Sequence, residues 1–112
     1  MARPEFLGQY EDQYAFAYTI CITNRSDRNI TLRNRHWIIT HADGSIEEVI
    51  GEGIIGETPE LAPGVSYRYT SGALIPTSVG SMRGSYGFAT GDGCSFRAEI
   101  LEFTLHTPNS PH

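Results

Sequence analysis

The most constraining feature of this chain is an alternation of side chains with a period of two residues. Over residues 14–22, one set of alternate positions is aromatic or branched, and the other is small or hydroxyl-bearing. This pattern is typical of a strand with one buried and one exposed face. A second alternation follows Pro63-Gly64, where Tyr67 and Tyr69 share a face. No segment shows convincing helical periodicity, so the pattern predicts an all-β protein.

Turn signals containing proline or glycine separate these segments. Asp43-Gly44 is the strongest hairpin signal, because it lies between two apolar runs. Such turns recur about every ten residues and divide the chain into about seven strands. The spacing predicts an immunoglobulin-like or fibronectin type III-like β-sandwich. A closed barrel is the alternative.

One predicted strand, residues 30–40, changes phase along its length. Ile30 and Leu32 share one phase, whereas Trp37 and Ile39 lie on the other. A bulge or kink near Arg35 would return both pairs to one side of the sheet. We therefore expect Trp37 to fill the core. Arg35 then needs a partner or a route to solvent, and an exposed Arg35 is the best single candidate for a ligand contact.

Composition limits the class of protein. A chain of 112 residues with a net charge of −5 is expected to form one domain, and its acidity argues against general nucleic-acid binding. No apolar run is long enough to span a membrane, and no signal peptide is evident, so we expect a cytoplasmic location. Reduced thiols are therefore expected at Cys21 and Cys94, with a disulfide between them as the alternative.

Residues 51–56 match the pattern G-x-G-x-x-G. In dinucleotide-binding folds this pattern precedes a helix whose N-terminus holds a pyrophosphate. Here Pro59 and the Pro63-Gly64 turn exclude such a helix. The favoured interpretation is that the glycines let a strand bend or change sheets.

The alternative interpretation is an anion-binding nest of backbone amides. Its candidate residues are the three glycines and nearby arginines, namely Gly51, Gly53, Gly56, Arg35 and Arg68, with Arg33 as a further source of charge. The carboxylates of Glu52 and Glu57 would oppose a bound phosphate. Those same carboxylates are the candidates for a divalent-cation site, although solubility and edge protection explain the acidic residues more simply.

No catalytic constellation is evident. The four histidines are isolated in sequence, and none has the spacing of a metal-binding pair; they are His36, His41, His106 and His112. No nucleophile elbow is present. The sequence predicts no catalytic residue and no cofactor.

Several separate stretches of the sequence resemble the ApaG family. They are FAYT at 16–19, RHWIIT at 35–40, GEGIIGE at 51–57, LAPG at 61–64, YTSG at 69–72, GSMRGSY at 80–86 and FTL at 103–105. The resemblance implies a fibronectin type III-like sandwich over residues 14–105, after a short N-terminal segment (1–13) and before a tail (106–112). It implies no established catalytic residues, a genetic link to cobalt and magnesium tolerance, and related eukaryotic domains that act as interaction modules.

These observations predict a non-enzymatic binding module that engages a protein partner through a sandwich face or an edge strand. The alternatives are a small-anion binder, with phosphate or a polyphosphate nucleotide as ligand, and a binder of Mg²⁺ or Co²⁺. A homodimer formed by edge strands or sheet faces is also expected to be feasible.

Overall fold

The fold consists of two antiparallel sheets packed face to face. The computed structural model describes residues 2–54 and 56–108. Within these residues the strands are β1 (Ala2–Tyr10), β2 (Gln13–Thr23), β3 (Ile30–His41), β4 (Ile46–Glu52), β5 (Glu60–Leu61), β6 (Ser66–Ile75), β7 (Val79–Thr90) and β8 (Ser95–His106). A three-stranded sheet has the order β1-β2-β6. A five-stranded sheet has the order β4-β3-β7-β8, and β5 pairs with β3.

This architecture confirms the predicted all-β, fibronectin type III-like sandwich. The strand count differs in detail from the sequence interpretation. The structure has eight strands where the sequence predicts about seven, and one of the eight is the two-residue strand β5. The long strands give the molecule dimensions of 48 × 23 × 22 Å. No helix long and apolar enough to cross a membrane occurs in the described part of the chain.

Residues 2–10, which the sequence interpretation set apart as an N-terminal segment, form strand β1. This strand pairs along β2 from Ala2, opposite Ile20, to Tyr10, opposite Gln13. Its register shifts between Phe6 and Gly8, and this irregularity obscures the alternation that identifies a strand. The sandwich domain therefore includes residues N-terminal to position 14. At the other end, His106 still belongs to β8, and residues 109–112 lie outside the described residues.

The core lies between the sheets and is rich in aromatic side chains. Trp37 from β3 contacts Tyr18 at a ring-centroid distance of 5.5 Å, Phe103 at 5.9 Å and Tyr86 at 6.1 Å. All three contacts have the tilted or edge-to-face geometry that aromatic pairs favour. Because Tyr18 belongs to the three-stranded sheet and Phe103 to β8, Trp37 joins the two sheets. The predicted core position of Trp37 is confirmed by its 2% exposure.

The predicted irregularity in β3 is also confirmed. The register of β3 against β7 shifts between Leu32 and Asn34, so the bulge includes Arg33, two positions before Arg35. The shift places Leu32 opposite Phe88 and Arg35 opposite Tyr86, all on the inner side of the sheet. One extra residue thus restores the two apolar phases of β3 to the same face.

A buried asparagine ties the β2–β3 turn to the loop before β6. The Nδ2 group of Asn24 donates to the carbonyl oxygens of Arg28 (2.7 Å) and Leu61 (2.9 Å). Its Oδ1 atom accepts hydrogen bonds from the amide (3.0 Å) and hydroxyl (2.6 Å) of Ser26. The backbone amide of Asn24 donates to the carbonyl of Val65 at 3.0 Å. A side chain that is only 2% exposed therefore has full hydrogen-bonding partners.

We expect Asn24→Ala to lower the free energy of unfolding by about 2–4 kcal/mol. The substitution leaves buried polar groups of the turn without partners, and each such group costs about 1–3 kcal/mol. Urea unfolding followed by tryptophan fluorescence measures the loss. Asn29→Ala, at an exposed position of the same turn, is the control and should change the value by less than about 0.5 kcal/mol. Equal losses in the two variants would contradict this account.

Candidate functional site

The glycine loop, residues 51–56, lies against the side chain of Arg35. Gly51 pairs with Arg35 at the end of β4, and the same arginine lies opposite Tyr86 of β7. The Arg35 Nη1 group donates hydrogen bonds to the carbonyl oxygens of Glu52 and Gly53, both at 3.0 Å. The carbonyl oxygens of the loop therefore bind the guanidinium of Arg35, a side chain of the same protein.

Two of the glycines have close neighbours at the position of a Cβ atom. A Cβ atom on Gly51 would lie 2.7 Å from Cζ of Arg35, so any side chain there displaces the guanidinium. A Cβ atom on Gly53 would lie 2.1 Å from the carbonyl oxygen of Glu57, and Gly53 has a φ of +60°. Gly56 has open space around it but a φ of +77°, which also favours glycine. The Arg35 side chain thus favours glycine at position 51, and backbone conformation favours it at positions 53 and 56.

Three backbone amides in and beside the glycine loop already have acceptors. The amide of Gly53 donates to the carbonyl of Arg33 at 2.8 Å. The amides of Ile54 and Glu57 donate to each other's carbonyl oxygens at 2.8 and 2.9 Å. These three amides therefore do not point together at a common ligand, as a phosphate nest requires. Ile55 lies outside the described residues.

The structure does not bring the predicted arginines together. Arg35 lies against the loop, as expected. Arg33 is exposed in the bulge and contributes its carbonyl oxygen to the loop. Arg68 lies on β6 of the other sheet, where it faces outward opposite Cys21. The sequence could not reveal this separation, because strand order depends on pairings between distant segments.

The candidate metal ligands do not form a cluster. Glu52 is exposed on β4, and Glu57 accepts a hydrogen bond from the Tyr67 hydroxyl at 3.2 Å. Within residues 2–54 and 56–108, no three His, Cys, Asp or Glu side chains lie close enough to hold a metal ion. Cys21, on β2, and Cys94, in the β7–β8 turn, are not joined by a disulfide.

Two tyrosines next to Arg35 form a polar contact inside the core. The hydroxyls of Tyr69, from β6, and Tyr86, from β7, are hydrogen-bonded to each other across the two sheets. Burial raises the pKa of Tyr69 to about 12. Burial, together with the neighbouring Tyr69, also raises the pKa of Tyr86. The positive charge of Arg35 opposes both shifts, but desolvation of the phenolate is the larger effect.

The sequence interpretation missed an apolar surface on the outside of the five-stranded sheet. Trp37 and Ile39 face inward, so the alternate residues of β3 and their partners on β4 face outward. Aliphatic residues occupy several of the outward positions, and we call four of them the apolar face: Ile38, Ile46, Ile50 and Leu101. Three of these side chains are highly exposed, Ile46 at 65%, Ile50 at 71% and Leu101 at 85%. The apolar face could have been predicted from the sequence, because isoleucines occupy alternate positions of β4 that face away from the core.

Polar residues lie among the members of this face. Ile38 pairs with Glu48, and Ile46 and Ile50 lie two positions on either side of that glutamate along β4. The Glu48 carboxylate is 2.8 Å from Nε2 of His36, on the neighbouring strand. A shallow cleft of about 290 Å³ runs across the same side of the sheet, between Ile38 and Leu101. The surface therefore has exposed aliphatic side chains with charged and hydrogen-bonding groups around them.

Comparison with known proteins assigns the chain to a family. The ApaG domain model matches residues 4–90. The chain belongs to the ApaG family. It is 47% identical to Protein ApaG of Pseudomonas paraeruginosa over 97% of this chain and 86% of that protein. It is 50% identical to Protein ApaG of Shewanella pealeana, over 91% of this chain and 81% of the relative.

Solved structures agree with this assignment. A crystal structure from Bordetella pertussis described as an ApaA protein has a TM-score of 0.92 and 38% identity, covering 98% of this chain and 93% of that one. A β-glucuronidase of Bacteroides uniformis matches 96% of this chain over 15% of its own length, with a TM-score of 0.55 and 11% identity. The second likeness shows the sandwich fold alone. ApaG membership confirms the resemblance seen in the sequence.

We expect Gly51→Ala to destabilise the domain through Arg35. The new Cβ atom displaces the guanidinium from the carbonyl oxygens of Glu52 and Gly53, at a cost of about 1–3 kcal/mol. In an Arg35→Ala background the space is empty, so the added cost of Gly51→Ala should fall below about 0.5 kcal/mol. Urea unfolding of the four proteins of this double-mutant cycle gives the coupling energy.

Gly56→Ala is the matched control for that cycle. Its cost arises from the positive φ and should be about 1 kcal/mol with or without the Arg35 side chain. Additive behaviour of Gly51→Ala and Arg35→Ala would contradict direct packing between these residues.

The buried tyrosine pair predicts a loss of stability at alkaline pH. The ordinary tyrosine pKa, near 10, applies to the unfolded chain, whereas the pKa of Tyr69 in the folded protein is about 12. The stabilising effect is complete below pH 10, and it is lost as the pH rises from 10 towards 12. Urea unfolding at pH 9 to 12 should show this decline, and a Tyr69→Phe/Tyr86→Phe variant should show a smaller one. An identical decline without both hydroxyls would contradict the assignment.

Proposed function

We propose that this ApaG-family domain is a non-enzymatic binding module that engages a protein partner through the apolar face. The observation that carries the proposal is the exposure of Ile46, Ile50 and Leu101 at outward positions of regular strands. In an antiparallel sheet with one solvated face, these positions are normally polar. Exposed aliphatic groups surrounded by polar ones are typical of interaction sites.

The charged groups around this face supply directional contacts. The carboxylate of Glu48 is hydrogen-bonded to the imidazole of His36, so it keeps one hydrogen-bond partner when another protein covers this pair. Arg83, Glu99 and Glu102 line the cleft on the β8 side. Both signs of charge are present, so the partner is expected to offer an apolar centre with its own mixed polar rim.

The glycine loop supports the proposal indirectly. The first two glycines of its G-x-G-x-x-G pattern have a structural explanation in the contacts of Gly51 and Gly53, so these contacts explain them without a bound nucleotide. The anion and cation alternatives at this loop gain no support from its geometry, because its carbonyl oxygens contact Arg35. We therefore place the function on the outer surface of the sheet.

Substitutions on the apolar face should strongly reduce capture of the partner. The double variant Ile50→Glu/Leu101→Glu puts two charges at exposed positions, so folding is preserved while the contact surface is changed. We expect wild-type domain to recover a stoichiometric partner from lysate and the double variant to recover at least about tenfold less. The recovered partner is then purified and titrated against both proteins by calorimetry.

The matched control is Leu74→Glu. Leu74 is 57% exposed on the outer side of the three-stranded sheet, so this variant introduces a similar change elsewhere. It should bind as the wild type does. Recovery of the same partner by the double variant would place the interaction on another surface. Sedimentation of the wild type shows separately whether the partner is a second copy of the chain.

A further inference from the structure

The outer side of the three-stranded sheet has a small hollow that contains two arginines. Strand pairing puts Arg3 of β1 opposite Thr19 of β2, and Thr19 opposite Thr70 of β6. Two positions along β2, Cys21 lies opposite Arg68. These five residues line a hollow of about 290 Å³, which we call the arginine hollow. Short side chains on the central strand leave space between the two long arginine side chains.

The charges in this hollow are all positive. Its lining contains two guanidinium groups, two hydroxyls and a thiol, and no carboxylate. Neither Arg3 nor Arg68 makes an ion pair or donates a hydrogen bond to another described residue. By contrast, Arg28 is paired with Asp92, and Arg97 donates to Ser85 and Asn34.

The two threonines contribute a directed hydrogen-bond donor. The hydroxyls of Thr19 and Thr70 are 2.8 Å apart, so one donates to the other. The hydroxyl that accepts this bond keeps its own proton, which it can donate to a group above the sheet. The floor of the hollow thus offers a neutral donor between two charged ones.

This combination fits a compact oxyanion with more than one negative charge. Guanidinium groups match the geometry of phosphate oxygens, and charge-assisted hydrogen bonds of this kind are stronger than neutral ones. We infer that the arginine hollow binds a phosphate group of a small molecule, held by Arg3 and Arg68 and by the threonine hydroxyl pair. Glu5, the next carboxylate along β1 on this side, lies opposite Ala17 and outside the hollow.

The arginine hollow is separate from the surface proposed to bind a protein partner. The hollow lies on the three-stranded sheet, whereas the apolar face lies on the five-stranded sheet. The net charge of the chain is −5, so a locally positive surface is not a result of general basicity. This site is also distinct from the anion site that the sequence predicts at the glycine loop. Of the residues predicted for that site, only Arg68 lies in the arginine hollow.

Titration of the intact chain followed by amide NMR shifts tests the inference. The ligands are inorganic phosphate and a phosphate monoester, glycerol 3-phosphate, with sodium chloride added to a reference sample at equal ionic strength. We expect saturable shifts at Thr19, Cys21, Arg68 and Thr70 with millimolar phosphate and not with chloride. Saturation by both ligands assigns a phosphoryl site, and saturation by inorganic phosphate alone assigns a site for the free ion.

The variant Arg3→Gln/Arg68→Gln should weaken binding at least about tenfold, because it removes two charge-assisted donors. Thr70→Val, which removes a hydroxyl and keeps the side-chain shape, should weaken it less. Arg25→Gln is the matched control, since that exposed arginine lies in the β2–β3 turn and outside the hollow. It should leave the affinity unchanged.

Alkylation of Cys21 gives a second measurement that does not depend on NMR assignment. In a Cys94→Ser background, bound phosphate should slow the reaction of Cys21 with iodoacetamide, whereas chloride should not. The inference is overturned if phosphate and chloride give equal shifts, if the shifts occur only at residues 51–56, or if the double arginine variant binds as tightly as the wild type.

Discussion

The bulge in β3 at Arg33 is the local irregularity on which the interior of this sandwich depends. Without the extra residue, Trp37 and Leu32 would lie on opposite sides of the sheet, because side chains alternate along a strand. The bulge places both inside. Trp37 then contacts aromatic rings of both sheets. A single inserted residue therefore allows both halves of β3 to contribute side chains to the core.

The same bulge directs Arg35 inward, and a charged group at that position needs compensation. Complete burial of an unpaired guanidinium is unfavourable by several kcal/mol. The compensation comes from two carbonyl oxygens of the glycine loop. Gly51 leaves room for the guanidinium, and Gly53 allows the turn that aims its carbonyl. The contact with Arg35 thus explains the first glycine of the motif, whereas Gly53 and Gly56 are favoured by their positive φ. The loop directs carbonyl oxygens at a cation, which is the opposite polarity to that of a phosphate-binding loop.

Features that depend on nearby residues could be predicted from the sequence, and those that depend on distant pairings could not. The alternation around Tyr18 predicts β2, and the phase change before Trp37 predicts the bulge. Strand β1 escaped prediction because its register shift at Gly8 breaks the pattern. The separation of Arg68 from Arg35 depends on β6 joining β2 and not β4. The alternation of side chains along β6 predicts a strand, but it does not show which other strand β6 pairs with.

The two outer faces of the sandwich differ because their central strands carry different side chains. The outward positions of β2 are alanine, threonine and cysteine, so neighbouring arginines of β1 and β6 can approach a common hollow. The outward positions of β3 and β4 include isoleucines, which leave an apolar surface. Neither face contributes to the Trp37 cluster, so both are less constrained by the core than the glycine loop is. In this domain Gly51 and Gly53 pack against Arg35 and the backbone of Glu57, and the two surfaces that we propose as binding sites lie on the outer sides of the sheets.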